Sequence, residues 1–275
     1  MTLGKLVSAV ALLSVLFPGA GAQAADDVST LLDQALTGDH RESANSARDK
    51  YRHPKETLMF FGLRPDMTVV EIWPAGGWYT EVLAPVLRDK GKYYAARHAV
   101  SLPKTVEFLK TRDKGFLAKL AARPDIYSKV VTGEIQAPDV VEVAPKGSVD
   151  LIVTFRNVHN WAKAGNADAM FSAFFDMLKS GGILGVVDHR ANADTPFQTQ
   201  IDSGYMTEQY VIEAGQKAGF RFMGKSEINA NPKDTKDHPK GVWTLPPVLR
   251  LGDQDREKYL AIGESDRMTV KFVKP

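Results

Sequence analysis

The 275-residue chain contains no cysteine, which excludes disulfide bonds, thiolate-bound metals and cysteine nucleophiles. It also has no block of basic residues. Its 35 Lys and Arg residues are spread along the chain and nearly balance 33 acidic residues, for a net charge of +2. Nucleic-acid-binding proteins concentrate positive charge, so we expect no nucleic-acid partner. The length is enough for one large domain or two small ones, and the 44% of hydrophobic residues suffices for a real core.

The apolar run near the N-terminus, residues 6–17, is too short to span a bilayer. It follows the positively charged Lys5 and precedes Ala22-Gln23-Ala24, an A-x-A cleavage pattern. This order is typical of a secretory signal peptide, which we predict over residues 1–24 with cleavage near Ala24. We therefore expect a periplasmic or secreted protein with no stable membrane insertion after signal cleavage.

An alternation of strands and helices follows an N-terminal helical segment at residues 25–63. Strand candidates such as "VDLIVTF" and "GILGVV" are apolar on both faces, as in parallel strands covered by helices. We predict an α/β domain over residues 64–275, with a Rossmann-like doubly wound sheet of seven strands. The strand candidates are residues 68–73, 92–97, 129–135, 149–155, 183–188, 220–228 and 268–273, and the main helical candidates are residues 78–88, 103–122, 167–178 and 207–218.

The end of the chain breaks this alternation. No helix-length amphipathic run separates the sixth and seventh strand candidates, so the last strand must be antiparallel. Residues 229–267 form a long insertion tethered over the carboxyl edge of the sheet, where ligands bind in open α/β folds. We predict a lid-like insertion, although an inert surface loop fits the sequence equally well.

The stretch "VVEIWPAGGWYTEVLAP" at residues 69–85 is written as a strand, a loop and a helix. Together with "DLIVTFRNVHNW", "VVDHRA" and "AIGESDRMTVKFVKP", it resembles class I S-adenosylmethionine-dependent methyltransferases. More narrowly, it resembles a group of exported bacterial proteins described as predicted methyltransferases. The resemblance covers roughly residues 54–275. It implies S-adenosylmethionine as cofactor and methyl transfer as reaction.

The first motif of that family is an acidic residue followed by G-x-G-x-G. Glu71 matches the acidic residue and Gly77 the last glycine, but Trp73 and Ala75 stand in the first two glycine positions. The Trp73 indole either points into the core behind the loop or closes the space where methionine or ribose would lie.

The resemblance also implies a carboxylate at the end of the second strand for the ribose hydroxyls. Arg97 and His98 stand there instead. The acidic residue after the third strand, which meets the adenine amino group in the family, is matched by Glu134. We expect the cofactor-binding set to be Glu71, Ala75, Gly76, Gly77, His98, Glu134 and Asn157.

The fourth and fifth strand candidates end in "FRNVHNW" and "VVDHRA", on the edge that tends to carry function. Methyl transfer needs an aligned acceptor whose proton can leave, and histidine suits that base role. We predict His159 as the catalytic base and Asp188 as the residue that orients it. A hydrogen-bonded scaffold role stays open for each. The predicted substrate or lid residues are Trp78, Trp161, His189, Trp243 and Arg267.

Three functions remain open. The first is a methyltransferase acting on a small molecule or an envelope component. The second is a non-catalytic binding or accessory protein on a degenerate methyltransferase fold, again with a small-molecule ligand. The third is a hydrolase with His159, Asp188 and His189 as metal ligands. Adjacent strand residues point to opposite faces, so Asp188 and His189 can both be ligands only if the strand has already ended. We therefore expect no metal there. The sequence identifies no protein partner.

Overall fold

The computed structural model describes residues 20–275, with side chains from residue 27 onward. The charged residue and apolar run of the predicted signal peptide lie outside the described residues. Within the described part of the chain, no helix is both long and apolar enough to cross a membrane. The elements in chain order are α1 (Ala20–Thr37), α2 (Ser43–Ser46), α3 (Asp49–Arg52), α4 (Pro54–Phe61), β1 (Thr68–Ile72), α5 (Thr80–Leu87), β2 (Lys92–His98), α6 (Glu107–Ala122), α7 (Pro124–Tyr127), β3 (Val131–Gln136), β4 (Val140–Glu142), β5 (Val149–Phe155), α8 (Val158–Ala164), α9 (Ala167–Met177), β6 (Leu178–His189), α10 (Phe197–Ser203), α11 (Glu208–Lys217), β7 (Arg221–Ser226), β8 (Pro239–Val242), α12 (Arg256–Ile262) and β9 (Arg267–Val273).

One mixed sheet runs in the order β4-β3-β2-β1-β5-β6-β9-β7. Strand β1 pairs in parallel with β2 on one side and β5 on the other, so the strand order reverses around β1. Strand β9 pairs antiparallel with both β6 and β7, which confirms the predicted antiparallel last strand. The reversal opens a crevice at the carboxyl ends of the central strands, which is where open α/β sheets bind ligands.

The predicted count of seven strands was wrong by one. The additional strand, β4, pairs antiparallel with the end of β3, with Ile135 opposite Val141. Gly133 permits this close approach, because a Cβ there would lie 2.2 Å from the carbonyl oxygen of Glu142. Strand β4 has only three residues and is largely solvent-exposed, so it carries no apolar alternation that sequence reasoning could detect.

Two cores lie on opposite faces of the sheet, as a doubly wound architecture requires. Alternate residues of β1 serve them in turn: Val70 and Ile72 face the core under α8, α9 and α11, and Val69 faces the other. The second core also takes Leu32 of α1 and Phe61 of α4. The N-terminal helices therefore share a core with the sheet.

Residues 227–266, between β7 and β9, contain β8 and α12. Buried polar bonds hold this segment against the body of the protein. Asp234 accepts hydrogen bonds from the hydroxyl of Tyr205 and the backbone amide of Asp266. Asn229 donates to Thr57 in α4 and Thr269 in β9. The segment is thus a packed part of the fold, and its role as a lid stays a prediction.

Candidate functional site

The loop after β1 keeps a glycine-type backbone although two of its residues are not glycine. The φ angles of Trp73, Ala75 and Gly77 are 50°, 59° and 81°. These are the three positions of the G-x-G-x-G pattern. Residues with a Cβ destabilise this left-handed conformation by about 1–2 kcal/mol each. The loop therefore has the backbone of a cofactor loop and carries strain at Trp73 and Ala75.

The Trp73 indole crosses the carboxyl ends of β2 and β3. Its ring stacks on His98 with centroids 3.9 Å apart, and its Nε1 donates to the carbonyl oxygen of Ile135 over 2.9 Å. Its other neighbour is the edge of Trp161, at 5.6 Å. The indole is buried in the same core as Trp161, and its ring also covers the strand ends to which the resemblance assigns ribose and adenine. Each of the two directions that the sequence left open therefore holds in part.

The polar residues at these strand ends already have protein partners. Arg97 donates to Asp113 at 2.6 Å and lies 3.8 Å from Glu134. Glu134 accepts from the hydroxyl of Ser101 over 2.6 Å. Burial, reinforced by the nearby charge of Arg112, lowers the pKa of His98 to about 4, so its imidazole is neutral at neutral pH. No free carboxylate faces the ribose position among these residues.

Glu71 lies near the end of β1, beneath the loop. It accepts hydrogen bonds from the hydroxyls of Tyr93 in β2 and Thr80 at the start of α5. Burial raises the pKa of Glu71 to about 7, against the lowering effect of those two hydrogen bonds and of Arg156. The carboxyl group therefore joins β1, β2 and α5 inside the protein.

Helix α6 covers the rest of the loop. A Cβ at Gly77 would lie 3.1 Å from the Phe116 ring, while one at Gly76 would meet nothing within 4 Å. A small depression beside Ala75 and His98, bounded by Arg112, has a cavity volume of about 10 Å³, which is room for about one water molecule. Typical sites for small molecules of cofactor size occupy roughly 300–1,000 Å³.

Asn157, expected to bind the cofactor, instead joins two strands. Its side-chain amide donates to the carbonyl oxygen of Ile72 over 2.9 Å and to the hydroxyl of Thr154 over 3.1 Å. The residue is buried between the ends of β1 and β5. These contacts assign it a structural role at the crevice floor.

The structure brings His159, Asp188 and His189 together at the ends of β5 and β6. The Nδ1 of His159 lies 3.0 Å from Oδ1 of Asp188, and the backbone amide of His159 donates to Oδ2 over 3.1 Å. The backbone amide of His189 donates to Oδ1 over 2.8 Å. The argument that adjacent strand residues must diverge was therefore wrong here, because Asp188 and His189 lie next to each other in β6 and still meet at the same His159.

One potential ligand atom from each of these three residues lies within 4.8 Å of the others. Both oxygens of Asp188 already accept N–H donors, and Nδ1 of His189 is 2.6 Å from the hydroxyl of Ser265. A metal ion would have to displace these bonds. The cluster is therefore satisfied as a hydrogen-bonded group, with Asp188 at its centre.

The predicted aromatic residues separate into three environments. Trp161 is fully buried between Phe171 and Phe174, so it belongs to the core, in contrast to its predicted place among the substrate or lid residues. Trp243, in the segment before β9, approaches His159 edge-on at 6.2 Å. Trp78 lies on the other side of the loop, where the guanidinium carbon of Arg52 is 4.5 Å from the centroid of the Trp78 ring.

Arg267, predicted as a substrate or lid residue, lies in β9 opposite His189. It pairs with Glu264, which also binds Arg48 and Arg52 from the N-terminal helical segment. Sequence analysis missed Arg48, Arg52 and Glu264. Glu264 is more than 200 residues from Arg48 and Arg52, and no spacing or motif links it to them.

Comparisons with known proteins agree with the architecture. No family model matches the chain, and no curated protein matches it either. Among solved structures, an S-adenosylmethionine-dependent methyltransferase from Aquifex aeolicus matches with a TM-score of 0.55. That match has 16% sequence identity and covers 91% of this chain and 98% of the other. The chain has the methyltransferase fold.

Two further matches show how much chemistry this fold accommodates. A geranyl diphosphate methyltransferase in complex with S-adenosylmethionine has a TM-score of 0.52 at 13% identity, covering 88% of this chain and 95% of the other. The [4+2]-cyclase SpnF has a TM-score of 0.58 at 14% identity, covering 94% and 97%. Since proteins of this fold differ in reaction, the function has to be argued from the site.

In the position that the resemblance implies, the residues do not fit S-adenosylmethionine. The Trp73 ring lies over the strand ends assigned to ribose and adenine, and Glu134 is bound to Ser101. No carboxylate ends β2. The methyltransferase-fold protein thus has the loop backbone of its fold but a different set of side chains around it.

Proposed function

We propose that this methyltransferase-fold protein is an exported binding or accessory protein for a small molecule, which it holds without using S-adenosylmethionine in the usual position. Its export rests on the predicted signal peptide at residues 1–24. The observation that supports the proposal most is the position of the Trp73 indole, stacked on His98 and hydrogen-bonded to the carbonyl group of Ile135.

The energetics favour this proposal. To admit adenine and ribose, Trp73 would have to break a hydrogen bond of about 1 kcal/mol and a ring stack of about 1 kcal/mol. Those losses alone weaken S-adenosylmethionine binding by roughly ten- to a hundredfold. Without a ribose-binding carboxylate, nothing in the depression beside His98 offsets them.

A second candidate is a methyltransferase of the periplasm that uses S-adenosylmethionine and acts on a small-molecule or envelope acceptor. The positive φ angles at Trp73, Ala75 and Gly77 favour it, because a strained loop backbone is typical of functional sites. In this candidate His159, oriented by Asp188, accepts the proton of the acceptor. The insertion at residues 229–267 would then cover the acceptor as a lid.

Calorimetric titration separates the two candidates. The mature chain, residues 25–275, is titrated with S-adenosylmethionine and S-adenosylhomocysteine, alongside Trp73→Gly and Trp73→Phe. We expect no binding to the wild type or to Trp73→Phe up to millimolar ligand, since both rings fill the space. Measurable binding that appears only in Trp73→Gly would identify the indole as the barrier. Micromolar binding to the wild type would overturn the proposal in favour of the second candidate.

A further inference from the structure

Three arginines from distant parts of the chain converge on one buried carboxylate. The Nε atoms of Arg48 and Arg52 lie 2.5 Å and 3.3 Å from the two oxygens of Glu264, and Arg267 donates to the same carboxylate. Arg52, Glu264 and Arg267 are almost completely buried. Because one carboxylate binds all three, the guanidinium groups lie within a few ångströms of each other.

A fourth guanidinium group, that of Arg156, belongs to this cluster. Arg156 follows β5 with a φ of 63°, and its backbone amide donates over 2.7 Å to the carbonyl oxygen of Val187 in β6, the strand in which His189 lies opposite Arg267. Burial, followed by the charge of Arg267, lowers the pKa of Arg156 to about 10, while Glu264 opposes this effect. The Arg156 guanidinium group is thus close enough to interact electrostatically with both Arg267 and Glu264.

Positive charge exceeds negative charge in this cluster. Glu264 is the one carboxylate that pairs with Arg48, Arg52 or Arg267 within residues 27–275. Three buried nitrogens have no partner there: Nη2 of Arg48, Nη1 of Arg52 and Nε of Arg267. A buried, uncompensated charge destabilises a protein by several kcal/mol. In an ion-pair network with a purely structural role, this excess of buried positive charge would only destabilise the fold.

Arg190 on the same edge provides an internal comparison. Its guanidinium group pairs with three carboxylates, those of Asp266, Glu208 and Glu227. That is the arrangement of a structural arginine with its donors satisfied. The contrast indicates that the cluster around Glu264 is built to receive additional negative charge.

The chemistry of the cluster selects an oxyanion. Planar guanidinium groups bind phosphate and carboxylate groups through paired N–H donors. A cation is disfavoured, because Arg267 lies opposite His189 in the sheet and the cluster holds more positive than negative charge. The same argument makes the neighbouring group of His159, Asp188 and His189 a poor metal site.

We propose that Arg48, Arg52, Arg156 and Arg267 bind an oxyanion, the phosphate or carboxylate group of a small ligand, next to the His159–Asp188 pair. The cluster lies at the end of β5 and the start of β9, and none of its residues lines the depression beside Ala75 and His98. This inference rests on the proposed function in taking the strand-end edge as the ligand site, and it names the ligand class as anionic.

The test measures anion binding to the mature chain by thermal denaturation and calorimetry. Inorganic phosphate and citrate are compared at constant ionic strength in the wild type, Arg156→Gln and the control Arg221→Gln. Arg221 is exposed at the opposite end of the sheet, at the start of β7. Arg48→Gln serves as a second cluster variant, since the Arg48 side chain is 22% exposed and tolerates replacement better than Arg52.

We expect phosphate or citrate to raise the Tm of the wild type and of Arg221→Gln. Arg156→Gln and Arg48→Gln should bind the anion about tenfold more weakly or worse. Without anion, Arg156→Gln should melt at a higher temperature than the wild type, because one like charge has been removed. A response to phosphate alone identifies a phosphoryl ligand, and one to citrate alone a carboxylate ligand.

Two results would overturn the inference: no response of the wild type to either anion up to millimolar concentration, or equal responses in the wild type and both cluster variants. Neither result depends on the S-adenosylmethionine titration, because phosphate and citrate lack adenine and ribose. The two experiments can therefore show that the proposed function is wrong while the oxyanion site is real, or that the oxyanion site is wrong while the proposed function is right.

Discussion

Asp188 fixes both the ring and the backbone of His159, although the two residues are 29 positions apart. Its Oδ1 lies 3.0 Å from Nδ1 of His159, and its Oδ2 accepts the backbone amide of that residue. That amide belongs to the first turn of α8, where backbone donors have no partner within the helix. Asp188 thus orients a potential base and caps a helix with the same carboxylate.

Asp188→Asn should destabilise the protein by about 1–3 kcal/mol. An asparagine side chain has one acceptor oxygen, so its amide group would face a backbone N–H that Asp188 now satisfies. Urea denaturation measures the change. Asp202→Asn, an exposed position in α10, should be nearly neutral. Equal stability of Asp188→Asn and the wild type would show that these hydrogen bonds contribute little.

Ala75→Gly should stabilise the protein by about 1 kcal/mol, because glycine adopts the φ of 59° at this position without Cβ strain. The matched control is Ala118→Gly, an exposed position within α6, where glycine should destabilise by a similar amount. Chemical denaturation of both variants measures the change in the free energy of unfolding, which should be positive for Ala75→Gly and negative for Ala118→Gly. A destabilised Ala75→Gly would mean that the methyl group contributes packing that outweighs the strain.

The raised pKa of Glu71 predicts that the stability of the protein depends on pH. Its pKa is about 7 in the folded protein against an ordinary value of 4.5, so the folded state binds more protons between these values. The uptake of this proton contributes about 3 kcal/mol to the free energy of unfolding. The contribution is fully present below about pH 4.5 and is lost as the pH rises through 7.

Glu71→Gln stays neutral and should lack that fall, which unfolding experiments between pH 4.5 and 8 would measure. The lowered pKa of His98 acts in the opposite direction, since its effect is lost as the pH falls from 6.5 towards 4. The decisive quantity is therefore the difference between the wild type and Glu71→Gln. Glu257→Gln, an exposed position in α12, provides the reference for a solvated carboxylate. A difference that does not vary with pH would contradict the prediction.

Glu264→Gln should destabilise the protein by about 3–5 kcal/mol, because Arg48, Arg52 and Arg267 would lose the carboxylate that neutralises them. The nearby arginines hold the pKa of Glu264 well below its usual range, against the effect of burial, so its carboxylate stays charged. The buried arginines depend on this negative charge. Thermal denaturation measures the loss, and added phosphate should restore part of it. A variant as stable as Glu257→Gln would show that the arginines do not need the carboxylate.

Much of the fold could be predicted from sequence because parallel strands and their helices have strong local signals. Apolar runs such as the one in β5 identified the central strands, and the missing crossover helix before β9 fixed its antiparallel direction. The short edge strand β4 was missed, since three largely exposed residues show no hydrophobic periodicity. The group formed by His159, Asp188 and His189 was predictable in outline, because strand ends converge on one edge of the sheet.

By itself, the sequence determined the α/β class, the loop after β1 and the edge on which polar residues gather, since all three depend on local patterns of hydrophobicity and glycine. Only the tertiary structure decided the direction of Trp73 and the meeting of Arg48, Arg52, Arg156 and Arg267. Side-chain direction is set by packing, and the ring of Trp73 found its partners on β2 and β3. The arginine cluster joins α3 to β9 across most of the chain, a contact that no sequence spacing encodes.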